Sequence, residues 1–227
     1  MVKLTYFGHS ACFIEGKGLK GLVDPFFSDN PMTSAKPSDF TDVNYIFVTH
    51  GHFDHIGDTV EIALSTNATV VANAELCQYF GGKGLNTHPM HIGGTFIFPF
   101  GKVKMTPAIH GSDIVNENEA IPGGNPGGFL VVCEGKKIYH AGDTGLTMDM
   151  QLLRDEHIDV ALLPSGGNFT MDMGDAAKAA KMIMPRIAVP IHYDTFDVIK
   201  ADPQEFARQA GKFTEVQILE PGESLEL

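Results

Sequence analysis

The sequence predicts an α/β fold made of two β-rich halves, each with helices on its outer face. Short apolar segments bounded by glycine alternate along the chain with segments of helical spacing. Residues 13–24 and 130–143 also share one pattern, which is a strand, a Gly-Lys turn, a second strand and a terminal Asp. This echo indicates two pseudo-repeats, about 1–110 and 111–227, within a single domain that spans 1–227.

The first half opens with three predicted strands, separated by Gly8 and by a Gly-rich turn at 16–18. A compact apolar strand then leads directly into Thr49 and His50, so polar side chains follow a buried strand. The predicted strands are 2–7, 11–16, 20–24, 45–48, 69–72, 95–98 and 102–109, and the predicted helices are 58–65 and 74–80.

The second half repeats this order of strands and helices. The predicted strands are 128–134, 136–140, 160–163, 187–189, 215–219 and 224–227, and the predicted helices are 149–157, 174–184 and 203–211. Between the halves, residues 111–128 form the longest segment without periodicity. They are either a functional or mobile loop or a solvated connector, and the sequence leaves both readings open.

Composition and charge favour a globular protein that acts on small molecules. A chain of 227 residues can bury a sizeable core without disulfides, and its three widely spaced cysteines do not indicate a disulfide framework. Lys and Arg are scattered and the formal net charge is −12, so the sequence offers no cationic track for a nucleic acid.

A cytoplasmic location is expected, because the N-terminus lacks the apolar core and cleavage site of a signal peptide. No apolar run approaches the ~18 residues of a membrane span, so membrane association is not expected. Assembly into a homo-oligomer is left open.

The strongest signal for chemistry is a run of metal-ligand side chains directly after the strand 45–48. The run reads His50-Gly51-His52-Phe53-Asp54-His55. In extended chain the side chains at i and i+2 project to the same side, and the last two ligand-type residues fall where the chain turns toward helix 58–65. Gly51 and Gly57 give the backbone freedom to turn. Ligand atoms must lie about 2.0–2.2 Å from an ion, which requires a loop with a fixed backbone. With four ligand-type side chains in six positions, this short loop could serve two metal ions.

This run resembles the HxHxDH signature of the metallo-β-lactamase superfamily. The resemblance implies a four-layer αββα sandwich of two mixed β-sheets with helices on the outer faces. The remaining ligands of the family are a His, a bridging Asp and a last His, each at the end of a strand. Here His110, Asp143 and His192 follow predicted strands in that order, and the resemblance covers essentially the whole chain.

The resemblance also implies a centre with two divalent metal ions. The first ion would be held by His50, His52 and His110, the second by Asp54, His55 and His192, and Asp143 would bridge them. This ligand set has imidazole and carboxylate groups and no thiolate. Such a set favours Zn or Mn and is also compatible with Fe.

Other ligand-type residues are predicted to lie outside the first ring of ligands. His88 and His91 are expected on a surface turn, and alternation along its strand should aim His140 away from the site, into the core or behind the ligands. His157 suits the C-terminal end of a helix electrostatically. Asp24 is expected in a turn or as a carboxylate that supports a ligand.

Three segments are similar to one branch of the superfamily, the small metal-dependent hydrolases related to ascorbate-6-phosphate lactonases. These segments are Gly8-His9-Ser10, 140–145 and 190–193. His9 lies on a turn between the first two strands. It is either a catalytic residue that faces the metals or a structural residue of the turn.

The function implied is hydrolysis of a small-molecule ester, lactone or phosphoester by a hydroxide that bridges the two ions. Asp54 would orient the hydroxide and shuttle its proton. The loop 165–167 is expected near the substrate, and 168–172 along its pocket. Two other functions are a metal-binding protein without turnover, which a complete ligand set disfavours, and a mononuclear iron oxygenase, which normally loses part of the second-site set.

Overall fold

The structure is a computed structural model, and it describes residues 1–116 and 119–227. The strands up to the middle of the chain are β1 (Lys3–Tyr6), β2 (Cys12–Gly16), β3 (Leu19–Val23), β4 (Tyr45–Phe47), β5 (Thr69–Asn73), β6 (Asn86–Met90), β7 (Thr95–Phe98) and β8 (Gly101–Pro107). The later strands are β9 (Ile114–Val115), β10 (Ala120–Ile121), β11 (Gly127–Cys133), β12 (Lys136–His140), β13 (Val160–Pro164), β14 (Ile187–Ile191), β15 (Glu215–Val216) and β16 (Ser224–Glu226).

The helices lie between these strands. They are α1 (Phe53–Ile56), α2 (Thr59–Thr66), α3 (Ala74–Gly82), α4 (Met173–Ile183) and α5 (Pro203–Ala210), with short 3₁₀ helices at Pro37–Asp39, Met148–Glu156 and Asp197–Ile199. Four of these five α-helices were predicted, whereas α1 was not. Among the residues that the structure describes, no helix has the length and apolar character needed to cross a lipid bilayer.

Two seven-stranded sheets dominate the described structure. The first sheet has the order β16-β1-β2-β3-β4-β5-β6, and the second has the order β15-β14-β13-β12-β11-β8-β7. Each sheet joins antiparallel strands on one side to parallel strands on the other, so each is mixed. Because β7 and β8 belong to the second sheet, the chain changes sheets between Met90 and Thr95. This change of sheet comes earlier in the chain than the predicted boundary between the pseudo-repeats, which is near residue 110. That residues 1–227 form a single domain stays a prediction.

The sheets pack face to face and helices cover their outer faces. Phe47 of the first sheet and Phe129 of the second are fully buried, and their ring centroids lie 5.5 Å apart in the core between the sheets. Side chains of α2 and α3 pack on the outer face of the first sheet. Those of α4 and α5 pack on the second. The predicted four-layer αββα sandwich is therefore confirmed.

The parallel strands are apolar on both faces because both faces are buried. Along β13, Val160 and Leu162 belong to the core between the sheets, whereas Ala161 and Leu163 pack under the helices. Strands covered on both sides read as continuous hydrophobic runs rather than as alternating ones. This explains why the segment 160–163 is recognisable from sequence as a buried strand.

The structure corrects the prediction for His88, which lies on β6 and not on a surface turn. His88 is paired with Val71 of β5, and its ring lies 4.2 Å from that of Phe96, centroid to centroid. β6 is an edge strand. Pro89 is compatible with an edge strand, which does not need every N–H for pairing, as well as with a turn.

Two further segments differ from their predicted form. The predicted helix 149–157 is a 3₁₀ helix, in which the buried side chains of Met150 and Leu153 are three residues apart and so lie on one face. The predicted loop 111–128 contains a small hairpin of β9 and β10. Its residues 117 and 118 lie outside the described residues.

Candidate metal centre

The predicted ligands gather at one edge of the sandwich because the strands before them run in the same direction. β4, β12 and β14 lie in the parallel parts of their sheets and are followed by His50, Asp143 and His192. β8 has the direction of β12, since both are antiparallel to β11, and it is followed by His110. The same reasoning applies to β1, which precedes His9.

The motif loop continues into a short helix rather than an open turn. His52 is the N-cap residue of α1, and Asp54 and His55 lie within that helix. This helix turns the chain after the extended segment at His50. As a result, side chains close in sequence are distributed between two neighbouring groups.

Three groups of candidate ligands have ligand atoms within 4.8 Å of one another, and the third, which contains His50, His55 and Asp143, shares a histidine with each of the other two. The first contains His50, His52 and His110, and the second contains His9, Asp54, His55 and His192. In the first group, Nδ1 of His52 lies 3.0 Å from Nε2 of His50 and 3.2 Å from Nε2 of His110. Three ring nitrogens therefore converge as they would around one ion.

Asp143 lies between the two groups. Its Oδ2 is 3.5 Å from Nε2 of His110, 3.4 Å from Nε2 of His55 and 3.0 Å from Nε2 of His192. His110 belongs to the first group and the other two histidines to the second. A single carboxylate oxygen thus faces imidazoles of both groups.

Asp24 orients two of the imidazoles from behind. Its Oδ2 accepts a hydrogen bond from Nδ1 of His55 at 2.7 Å and another from the Thr49 hydroxyl at 2.7 Å. Because the hydroxyl of Thr49 donates to Asp24, its oxygen accepts from Nδ1 of His50, 3.0 Å away. Both rings are then held in the tautomer that leaves Nε2 with a free lone pair. The predicted supporting role of Asp24 agrees with this geometry.

Unpaired polar atoms at the centre fit cations. Oδ1 of Asp143 and Nδ1 of His192 are buried and have no hydrogen-bond partner within the described chain. Nε2 of His55 and Nε2 of His192 are buried too, and they face Oδ2 of Asp143 at 3.4 Å and 3.0 Å. A buried polar group without a partner costs about 1–3 kcal/mol. Divalent ions would satisfy such lone pairs, and the imidazole and carboxylate donors suit Zn, Mn or Fe.

His9 is fully buried next to the second group. Its Nε2 lies 2.9 Å from Oδ2 of Asp54, and its Nδ1 lies 2.9 Å from Oγ1 of Thr195. A carboxylate can only accept, so Nε2 donates its proton to Asp54 and Nδ1 accepts from the hydroxyl of Thr195. Of the two readings of His9, this contact favours a residue of the site.

Burial favours the neutral form of several imidazoles, which metal ligation requires. It lowers the pKa of His50, His52 and His110 below the usual value of a histidine. Burial likewise lowers the pKa of His9 to about 4. At His55 burial also lowers the pKa, but the carboxylates of Asp143, Asp24 and Asp54 outweigh it and raise the pKa well above the usual value. Burial raises the pKa of Asp54, but the neighbouring His55 and His9 outweigh it and hold that pKa below its usual range.

Sequence comparison identifies the family to which the chain belongs. A family model described as the β-lactamase superfamily domain matches residues 21–193. The chain belongs to the metallo-β-lactamase superfamily. A UPF0173 metal-dependent hydrolase of Alkaliphilus metalliredigens is 53% identical over 219 residues, which cover 96% of each chain. Another, from Anoxybacillus flavithermus, is 52% identical over 228 residues and 100% of each chain.

A solved structure extends the likeness to three dimensions. Igni18, a metallo hydrolase from the hyperthermophilic archaeon Ignicoccus hospitalis, is 37% identical and superposes with a TM-score of 0.90. The match covers 100% of this chain and 99% of that one. This metallo-β-lactamase superfamily member is thus a metal-dependent hydrolase that uses a divalent metal. The relation to ascorbate-6-phosphate lactonases stays a prediction.

Three residues of this metallo-β-lactamase centre adopt a left-handed backbone conformation. The φ angles are 55° at His9, 45° at Asp24 and 59° at His192. Residues other than glycine rarely adopt such angles, and they persist where surrounding contacts hold them. Here the backbone N–H of His192 donates to the carbonyl of His9 at 2.8 Å, which joins the two strained turns.

Gly51 is required for a close approach and not for a positive φ. A Cβ on Gly51 would lie 2.1 Å from the carbonyl oxygen of Ser112. Gly57 meets both requirements, because its φ is +33° and a Cβ there would lie 2.4 Å from the carbonyl oxygen of Pro25. The freedom to turn that the sequence suggests therefore applies to Gly57, whereas Gly51 lets the motif loop pack against the second half.

A cavity of about 390 Å³ opens above the metallo-β-lactamase centre. Its floor includes His52, Asp54, His110, Asp143 and His192, so these candidate ligands face the cavity. Its walls include five hydrophobic side chains. They are Phe53, Val115, Phe169, Phe196 and Val198.

The remaining predicted residues lie elsewhere. Within residues 1–116 and 119–227, the candidate ligand groups include none of the histidines 88, 91, 140 and 157. Nε2 of His140 donates to the carbonyl of Ser10 at 2.9 Å, which agrees with its predicted place behind the ligands. The loop 165–167 lines a separate surface pocket, so its predicted place near the substrate finds no support. In the segment after it, Phe169 lines the cavity and Asp172 caps α4.

Thr195 and most of the cavity wall were not predicted from the sequence. Phe53 lies inside the metal motif itself, and Phe196 and Val198 follow His192 by a few residues. Position next to a predicted ligand on a strand-end loop is the signal that could have found them. The same signal applies to Thr195, which follows His192 by three residues, but it does not indicate the contact with His9, from which 186 positions separate Thr195.

Proposed function

We propose that the chain binds two divalent ions, Zn or Mn with Fe as a third choice, and hydrolyses a small-molecule ester, lactone or phosphoester. The first ion would be held by His50, His52 and His110, and the second by Asp54, His55 and His192. The observation that carries this proposal is the position of Asp143, whose Oδ2 lies within 3.5 Å of imidazole nitrogens from both groups. A carboxylate in that position suits a bridge between two ions.

When bound, such ions act as Lewis acids and lower the pKa of a water molecule toward about 7. The chain would supply the proton transfers. We assign to Asp54, which lines the cavity and is 13% exposed, acceptance of a proton from the attacking water and its delivery to the leaving group. His9, which donates to Asp54 at 2.9 Å, would hold that carboxylate in position.

The number of ions is tested by elemental analysis of protein that has been stripped of metal and reconstituted with Zn or Mn. We expect two equivalents per chain. Replacement of His52 or His110 with Ala should remove about one equivalent. The matched control is His91→Ala, which lies outside the candidate groups and should keep both. A wild-type protein with one equivalent at saturation, or a loss of metal in His91→Ala, would contradict the assignment.

Turnover is tested by a screen of lactones, thioesters and phosphodiesters with the reconstituted protein. Hydrolysis that depends on added metal and is abolished in His52→Ala supports the proposal. Full metal loading without hydrolysis of any of these classes would instead support a metal-binding protein without turnover.

A further inference from the structure

The cavity above the metal centre has a wide hydrophobic rim. Phe53, Val115, Phe169 and Val198 line it and remain between 54% and 68% exposed. They come from separate parts of the chain, namely α1, β9, the loop before α4 and the 3₁₀ helix after His192. Scattered exposed hydrophobic residues are ordinary, but a group that surrounds one opening marks a binding surface.

The charges around this opening are unfavourable to an anion beyond the metals. In the described part of the chain, the lining contains neither Lys nor Arg. Asp113 is exposed and lines the cavity, so it adds a negative charge. Lys200 follows the rim residue Val198 closely in sequence, but its Nζ is paired with Oδ1 of Asp197 at 2.6 Å.

We infer that the substrate carries an uncharged hydrocarbon chain beyond its scissile group, as in an alkyl lactone or an alkyl ester. This inference rests on the proposed function and specifies its substrate class. A phosphate or carboxylate beyond the scissile group would be partly desolvated without a cationic partner, which is costly. A hydrocarbon chain would instead cover the exposed faces of the four rim side chains.

The inference predicts a dependence of affinity on chain length. Full burial of one methylene group corresponds to about a fourfold change in a binding constant. Since the rim is open on one side, burial of the chain is partial. We expect affinity to rise at least about tenfold when four methylene groups are added.

Binding is measured by calorimetry on the metal-loaded protein with alkyl hydroxamates, whose two oxygens bind divalent ions. The series runs from acetohydroxamate to hexanohydroxamate. A further compound is hexanohydroxamate with a carboxylate at the end of the chain away from the hydroxamate. The dissociation constant should fall along the series and rise again for the carboxylate compound. A constant value along the series, or tighter binding of the carboxylate compound, overturns the inference.

Two variants locate the effect on the rim. Phe169→Ala should reduce the gain from the longer chain severalfold, which is a larger change than its effect on the affinity for acetohydroxamate. Val198→Arg should favour the carboxylate compound about tenfold. The matched control is Ile97→Arg, because Ile97 is 77% exposed on β7 and does not line the cavity. An equal effect of Val198→Arg and Ile97→Arg contradicts a role of the rim.

A separate turnover measurement distinguishes this inference from the proposed function. Chain-length dependence of binding without hydrolysis of any alkyl ester or lactone would reject the proposed function and keep the binding specificity. Hydrolysis that is faster for a phosphorylated lactone than for an alkyl lactone would keep the function and reject the inferred substrate class.

Discussion

Three imidazoles of the centre have a polar partner on the side away from the cluster. Asp24 accepts from His55, Thr49 accepts from His50, and Thr195 donates to His9. These partners set which ring nitrogen carries the proton, and therefore which one can bind a metal or a carboxylate. At the scale of single residues, the chemistry of the centre depends as much on these supporting groups as on the ligands.

Asp54→Asn should fold normally and lose activity by about 10²–10⁴-fold, because the amide keeps the shape but cannot accept the proton. Circular dichroism and elemental analysis would establish folding and metal content, and kcat would be measured on the substrate found by screening. We expect the variant to retain at least the ion assigned to His50, His52 and His110. Near-normal turnover by a fully metallated variant would show that another group accepts the proton, and His9 would be examined next.

Thr195→Val should fix the His9 ring less firmly, because Nδ1 of His9 then has no hydrogen-bond donor inside a buried site. The loss of one such hydrogen bond costs about 1–3 kcal/mol of folding stability. The more specific readout is the ¹⁵N NMR spectrum of the His9 ring, in which the Nδ1 signal should shift because its hydrogen-bond donor is lost, while Asp54 keeps the proton on Nε2. Thr195→Ser is the control, since it restores the hydroxyl and should restore the wild-type spectrum. An unchanged spectrum in Thr195→Val would exclude this positioning role.

At the scale of elements, the centre depends on loops that approach one another closely at the ends of strands. The motif loop follows β4 of the first sheet, and the backbone after His110 follows β8 of the second. The two backbones meet at Gly51, whose N–H donates to Oγ of Ser112 at 3.2 Å. A side chain at this position would separate ligands that come from different sheets.

Gly51→Ala should therefore impair metal binding, because its Cβ would have to displace the Ser112 carbonyl from a distance of 2.1 Å. Overpacking of this kind typically costs about 1–3 kcal/mol. Gly82→Ala is the matched control, since a Cβ on Gly82 in α3 has nothing within 4 Å. The measurements are metal equivalents per chain and thermal unfolding. Equal behaviour of the two variants would show that the approach at Gly51 is not restrictive.

At the scale of the whole molecule, the candidate ligands join the two sheets. The four ligands of the motif loop follow one strand of the first sheet, β4, whereas His110, Asp143 and His192 follow three strands of the second. Bound cations would thus connect the two halves of the sandwich at one edge. Without them, Asp54 and Asp143 repel each other, and the unpaired buried groups remain unsatisfied.

Removal of the metals should lower the thermal stability of the whole domain. A ligand present at a hundred times its dissociation constant stabilises by about 2.7 kcal/mol, which corresponds to a shift in Tm of ~5–10 °C for a chain of this size. The shift is measured by calorimetry before and after chelation, and after metal is restored. His110→Ala should show a smaller shift than wild type. An identical Tm with and without metal would contradict the role of the ions as a link between the sheets.

Much of the architecture could be predicted because its signals are local. β13 is an uninterrupted apolar run and α4 ends before Pro185, so both are recognisable in the sequence. The prediction failed at β6, where Pro89 suits both a turn and an edge strand, and only the neighbouring strand β5 decides between them. The cytoplasmic location stays a prediction, and assembly into a homo-oligomer stays open.

The sequence by itself determined the fold class, the superfamily and the candidate ligands. The reason is that the metal motif is a run of consecutive residues and that each later ligand directly follows a segment recognisable as a strand. Tertiary structure alone decided that Asp143 faces both groups, that Thr195 supports His9 and that the rim of the cavity is hydrophobic and lacks a described cation. These features join residues that are distant in sequence. Their contacts are set by the packing of the two sheets, which cannot be predicted from short segments of the sequence.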